Sequence, residues 1–94
     1  MKKEEFIAVV TPIAELVDQK HKDYNSNTKL TDYFPFGDYS YVHMLHTKML
    51  RITNLTKKAD PKEGLPVTQF ESIKDSVDDL IAYAVFYRDF LGKK

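Results

Sequence analysis

Three stretches of this chain place apolar residues at alternating steps of three and four, the spacing that gathers them on one side of a helix. The strongest is Phe70, Ile73, Val77, Leu80, Ala84, Tyr87 and Leu91, which predicts a helix over Thr68–Leu91. Thr68 followed by Glu71 has the form of a capping box, and Pro66 stands just upstream, where a helix cannot easily continue backwards. Opposite the stripe lie Glu71, Asp75 and Asp78, with Asp79 beside them. Further along, Leu80 to Tyr87 is apolar on every side and needs cover all round, which a second subunit would provide.

The first stretch, residues 3 to 24, carries Phe6, Val10, Ile13, Val17 and Tyr24 on one stripe. Proline suits the first position of a helix, so Thr11-Pro12 marks either the junction of two helices or a kink within one. The remaining stretch runs from Asp38, an expected N-cap, to about Lys58, with Val42, Leu45, Met49 and Ile52 as its inward side. His43, Thr47, Arg51 and Asn54 form a polar row on the same segment, with Lys48 next to Arg51.

Between these segments the periodicity stops. Asn25 to Asp38 is rich in turn formers and reads as a loop of about a dozen residues, a length that is often functional. Tyr33, Phe34, Phe36, Tyr39 and Tyr41 crowd its end, either to plug the bundle with their rings or to offer a stacking platform for a base. The connection KKADPKEGLPV, with its prolines and glycine, resets the direction before the last helix. The expected fold is therefore all-α: a single domain over residues 1–94, built as a small three- to four-helix bundle completed by dimerisation. A monomer whose aromatic loop covers the apolar segment is the alternative.

Composition narrows the function classes. The chain has 94 residues, 14 basic against 14 acidic, so no bulk field draws it to duplex nucleic acid or an anionic membrane. Its apolar runs fall short of the ~20 residues that span a bilayer. Glu4 and Glu5 interrupt any export signal, and the absence of cysteine rules out disulfides and thiolate metal sites; the cytoplasm is the expected compartment. The local charge is uneven: Lys48, Arg51, Lys57 and Lys58 lie on a segment without acids, and the next helix opens with four acids.

That asymmetry suggests two chemistries. Lys48 and Arg51, one turn apart, suit a phosphate, with His43 and Thr47 alongside and the arginine supplying a bidentate fork. The other use for the pair is an ion pair with Asp75 or Asp78. Glu71, Asp75 and Asp78 have the spacing to share one Mg²⁺, although acids in a first turn also serve as caps and complement the helix dipole. His43 and His46 lack a third histidine to complete a zinc site. No nucleophile elbow, phosphate loop or triad ordering is present, so no catalytic residue is assigned.

HKDYNS (His21 to Ser26), KMLRITNL (Lys48 to Leu55) and above all FESIKDSVDDLIAYAVF (Phe70 to Phe86) resemble the first type of nucleotide-modification-associated domain of phages. Where that family tends to read Asp-Tyr-Gly, this chain has Asp23-Tyr24-Asn25. The resemblance implies a helical protein of viral origin that handles nucleotides in an infected bacterial host. The acidic helix is also similar to the E-x-x-D helix of MazG-type nucleoside triphosphate pyrophosphohydrolases, whose carboxylates hold Mg²⁺ over a triphosphate. Where those enzymes carry a second carboxylate pair, this chain has Lys48 and Arg51, leaving Glu15 and Asp18 as substitutes.

The expectation is a nucleotide-binding protein without turnover. Lys48 and Arg51 would take phosphate, and Tyr33, Phe36 or Tyr39 would stack on the base of a modified nucleotide or a host defence signal. A Mg²⁺-dependent pyrophosphohydrolase using Glu71, Asp75 and Asp78 is the alternative, and a protein-binding inhibitor of a host factor is the third.

Overall fold

The computed structural model describes residues 1–23, 29–57 and 67–94. Among them the chain is all-helical and holds no strand. No described helix is long and apolar enough to cross a membrane. Tyr24, Asn25 and Ser26 of the HKDYNS motif, the connection from Lys58 to Pro66 and the side chains of the Thr68 cap and Phe70 lie outside the described residues. The chain divides into two units, residues 1–35 and 36–94.

The first unit holds α1 (Lys3–Asp23) and a short 3-10 turn (Leu30–Tyr33). Of the two alternatives at Thr11-Pro12, the single helix is the one adopted. Proline removes the N–H that would bond to Ala8, at a cost of about 3 kcal/mol in a helix interior. Just before it, the Thr11 hydroxyl donates to the Ile7 carbonyl at 2.7 Å. Glu4 and Glu5 at the start and Lys20, His21 and Lys22 at the end match the helix dipole. The expected loop is partly structured: the Lys29 N–H donates to the Asp32 carboxylate at 2.9 Å and the Phe34 N–H to Thr31 O at 3.1 Å, which closes the turn. Among the described residues of this unit, Ile13 and Phe34 are the buried hydrophobic ones.

The second unit is a helical hairpin of α2 (Asp38–Thr56) and α3 (Val67–Gly92). Gly37, not Asp38, caps α2. Its φ of 60° is a conformation glycine adopts without the steric cost that a Cβ brings. The Phe36 N–H is taken up by the Ser40 hydroxyl at 2.8 Å, a side chain reaching back from the first turn. Asp38 becomes the first helical residue, where its negative charge faces the positive end of the dipole. The helix ends at Thr56, with Lys57 as its C-cap. α3 starts at Val67, one residue ahead of expectation, and runs one residue past Leu91.

Tyr41 stacks on Tyr87, Lys48 pairs with Asp79 and Arg51 bonds to Ser76. Each step toward the C-terminus of α2 is thus matched by a step toward the N-terminus of α3, which makes the helices antiparallel. This seam is not the one the apolar spacing predicts. On α2 the spacing puts the inward side at Val42, Leu45, Met49 and Ile52; the seam follows Tyr41, Lys48 and Arg51 instead, and Val42 and Met49 are 50% and 47% exposed. On α3 the expected stripe includes Val77, Ala84 and Leu91, all exposed; Tyr87 of that stripe does meet α2, together with Ser76, Asp79 and Tyr83, which lie off it.

Turning about 100° per residue from the seam sorts the rest of both helices. Val42, Leu45, Met49 and Ile52 fall on one flank of α2, and Ile73, Val77, Leu80, Ala84 and Leu91 on one flank of α3. Because the helices are antiparallel, these flanks lie on the same side of the hairpin. The opposite side carries Thr47, Arg51, Asn54, Glu71, Asp75 and Asp78. The hairpin therefore has an apolar flank, a polar flank and a mixed seam between them.

Candidate functional site

The seam changes character along its length. At the end formed by the start of α2 and the end of α3, Tyr41 is 1% exposed. Its ring stacks on Tyr87 at 5.3 Å with 9° between the planes, and lies 4.9 Å from Phe90. Burial pushes the Tyr41 hydroxyl above its ordinary value, since the phenolate would have to leave water. Asp38 closes this end: its carboxylate accepts from the Tyr87 hydroxyl at 3.0 Å and from the Lys94 amino group. The bond from Lys94 holds the Asp38 carboxyl below its ordinary value, and the bond to Asp38 raises Tyr87. Lys94 also lies over the Phe90 ring at 5.2 Å.

At the other end the partners are ionic and hydroxylic. Lys48 Nζ sits 3.2 Å from Asp79 Oδ2 and 5.6 Å above the Tyr83 ring. One turn on, Arg51 Nε donates to Ser76 Oγ at 3.1 Å, and that hydroxyl donates to the Ser72 carbonyl at 2.8 Å. Ser76 is only 3% exposed, so its oxygen is buried and used in both directions. The ESIKDS run within FESIKDSVDDLIAYAVF acquires a physical account here. Ser72 and Ser76, four residues apart, supply a carbonyl and a small hydroxyl where α2 approaches, while Glu71 and Asp75 remain outside.

The residues selected from the sequence are distributed over this framework. Lys48 is half-buried in the seam, and Arg51 is exposed beside it on the polar flank. Both engage α3, but through Asp79 and Ser76, not through Asp75 or Asp78. His43 and Thr47 are exposed, and the Thr47 hydroxyl donates to the His43 carbonyl at 3.0 Å. Glu71 and Asp75 are exposed; Asp78 is half-buried, with Lys74 Nζ 3.9 Å away on the same helix. Among the described residues, no three His, Cys, Asp or Glu side chains are grouped to hold a metal ion.

Of the five crowded aromatics, Phe34 and Tyr41 are buried, as ring plugs should be, and Tyr33, Phe36 and Tyr39 are exposed. Tyr33 belongs to the first unit, and Phe36 and Tyr39 to the second, where they are 77% and 83% exposed around the α2 cap. Sequence reasoning missed Ser76, Tyr83 and the Asp38–Tyr87–Lys94 cluster. The recoverable signal was the pairing of Lys48 with Asp79 and of Arg51 with Ser76, which one antiparallel register satisfies together.

Comparison with protein-family models, with curated proteins and with solved structures finds no match to this chain.

Proposed function

We propose that this chain is a binding protein without turnover, and that it binds a protein surface on the apolar flank of the α2–α3 hairpin. The observation that carries this reading is the flank itself. Val42, Met49, Val77 and Leu91 are exposed there on neighbouring helices, with half-buried Leu45, Ile52, Ile73 and Leu80 between them. Contiguous apolar surface costs about 25 cal/mol per Å² to keep in water, and such patches mark interaction sites more often than scattered apolar residues do.

Native mass spectrometry of the chain purified from a cell extract tests this. The expected result is a stoichiometric protein partner, lost in Met49→Lys on the apolar flank and kept in Thr47→Lys on the polar one. A bare chain carrying a nucleotide would overturn it.

A second reading keeps the nucleotide, in line with the resemblance to the phage nucleotide-modification-associated domain. What favours it is that Lys48 and Arg51 lie one turn apart, with Arg51 exposed and the Tyr83 ring beside Lys48. A phosphate there must displace Asp79 from Lys48 and tolerate Asp75 and Asp78 nearby, unless Mg²⁺ bridges them. Under this reading Arg51→Ala weakens nucleotide binding by about 1.5–3 kcal/mol, the scale of a hydrogen bond to a charged group. Asp75→Asn would remove any stabilisation by Mg²⁺.

A further inference from the structure

We propose that the occupant of the apolar flank is a second copy of this chain, two α2–α3 hairpins meeting flank to flank as an antiparallel four-helix bundle. This rests on the protein-binding reading above and names the partner for it.

The area of the flank suits a second copy. α2 has 19 residues and α3 has 26. At 1.5 Å per residue, the stretch where both helices run side by side is about 28 Å long. Two packed helices with axes 8–10 Å apart present a strip about 20 Å wide. The flank thus offers roughly 560 Å² per copy, or about 1,100 Å² in a pair before side-chain relief is counted, against the ~1,000 Å² that a specific interface needs. A single extended or helical peptide would cover only one furrow of it.

The charge distribution suits it as well. The flank residues named above are uncharged; the same rotation adds Asp38 on α2 and Arg88 on α3, opposite in sign and level with each other at one end, and the acids Glu71, Asp75 and Asp78 collect with Arg51 on the opposite flank. Identical flanks can therefore meet without like charges facing each other, and the charged side stays in water. That depletion of charge at the centre and its concentration outside is the make-up of an interface core.

The shape of the flank also fits a second copy. A two-fold axis parallel to the helices lays α2 of one copy over α3 of the other, so that every helix has antiparallel neighbours and every level is preserved. In the register set by Lys48 with Asp79 and Arg51 with Ser76, Val42 then faces Ala84 of the other copy, and Met49 faces Val77. Ala84 ends at Cβ and leaves a depression for the valine. Met49 is the most adaptable of the apolar side chains. The face is self-complementary in size as well as in polarity.

Sedimentation velocity across about 1–100 μM tests the proposal, with far-UV circular dichroism to confirm that each variant remains helical. The wild type is expected to be a dimer. Met49→Glu should weaken the association at least 100-fold, and the milder Met49→Ser should weaken it partially. Thr47→Glu on the polar flank should leave it unchanged. A dimer indifferent to both Met49 variants would overturn this face as the interface. A wild-type monomer at 100 μM that binds a fluorescent apolar dye in a Met49-dependent way would overturn the second copy but leave the flank open to another protein. A monomer that binds no such dye would overturn both readings, because the flank would then be covered from within the chain.

Discussion

The two ends of the α2–α3 seam hold the same pair of helices by different physics. Around Tyr41 the helices are joined by stacked rings, largely out of water, with Asp38 and Lys94 at the margin. Around Lys48 and Arg51 they are joined by one ion pair and a relay of hydroxyl and carbonyl oxygens at the edge of solvent. Ring burial is non-directional and insensitive to salt. An ion pair half in water is screened by salt and offset by the entropy of holding two long side chains. The aromatic end should therefore carry most of the hairpin's stability, and the polar end should set its register.

The sharpest way to break that contrast is Tyr41→Ala. Emptying a site that is almost wholly buried, and losing two ring contacts worth about 0.5–1.5 kcal/mol each, predicts a loss of about 3–5 kcal/mol. Urea unfolding followed by circular dichroism would measure it. A loss below about 1 kcal/mol would mean that the rings are not what closes the hairpin.

The polar end should respond several times more weakly. Lys48→Met keeps an unbranched side chain of similar length at the seam and removes the charge, leaving a half-exposed Asp79 that water can hydrate. The expected cost is about 1 kcal/mol, shrinking as salt is raised because the wild type loses the same interaction by screening. Ser76→Ala belongs to the same scale, about 1 kcal/mol, since Arg51 is exposed and can turn to water when its acceptor is removed. If either cost approached that of Tyr41→Ala, the polar end would be a fully desolvated network and the contrast would collapse.

This difference also explains how much of the molecule was legible in the sequence. The helices were, because each spans several turns and their apolar residues keep a helical period; at Thr11-Pro12 the spacing left two helices or one open, and the chain adopts one. The faces were less so. The rule that the apolar stripe is the inward one identifies Val42, Met49, Val77 and Ala84 correctly as one coherent surface, but that surface is the hairpin's flank. The seam, turned by about one residue, shares Tyr87 with that stripe and adds Tyr41, Lys48 and Tyr83, amphipathic side chains that bury well without falling on the apolar repeat. At the candidate site Lys48 and Arg51 do reach α3, one of the two uses their spacing offered, but through Asp79 and Ser76 in place of Asp75 or Asp78. Asp38 was legible as a helix start, but its bonds to Tyr87 and Lys94 join residues 49 and 56 apart in sequence, and no local pattern encodes them.

The smallest expected effect comes from that Asp38 cluster, whose carboxylate and ammonium are each close to half exposed and so well hydrated. Its sign is nevertheless definite. Lys94 and, more weakly, Tyr87 hold the Asp38 carboxyl below the usual aspartate value, so the unfolded chain takes up a proton there before the folded one does. The contribution is complete above about pH 4, the ordinary aspartate range, and is lost as pH falls through the lowered value. Tyr87 works in the opposite sense at the alkaline end. Its hydroxyl is held neutral by donating to Asp38, so that contribution is complete below about pH 10 and fades as pH climbs beyond it. Melting temperatures of the wild type and Asp38→Asn across this range should therefore differ most on a plateau between the two limits and converge toward both. The amide of the variant can still accept from the Tyr87 hydroxyl but has no charge for Lys94, so the acid limb should flatten more than the alkaline one. A difference that stayed constant down to pH 2 would show that Asp38 acts through the α2 dipole or through packing, and that the end of α3 is held by the rings alone.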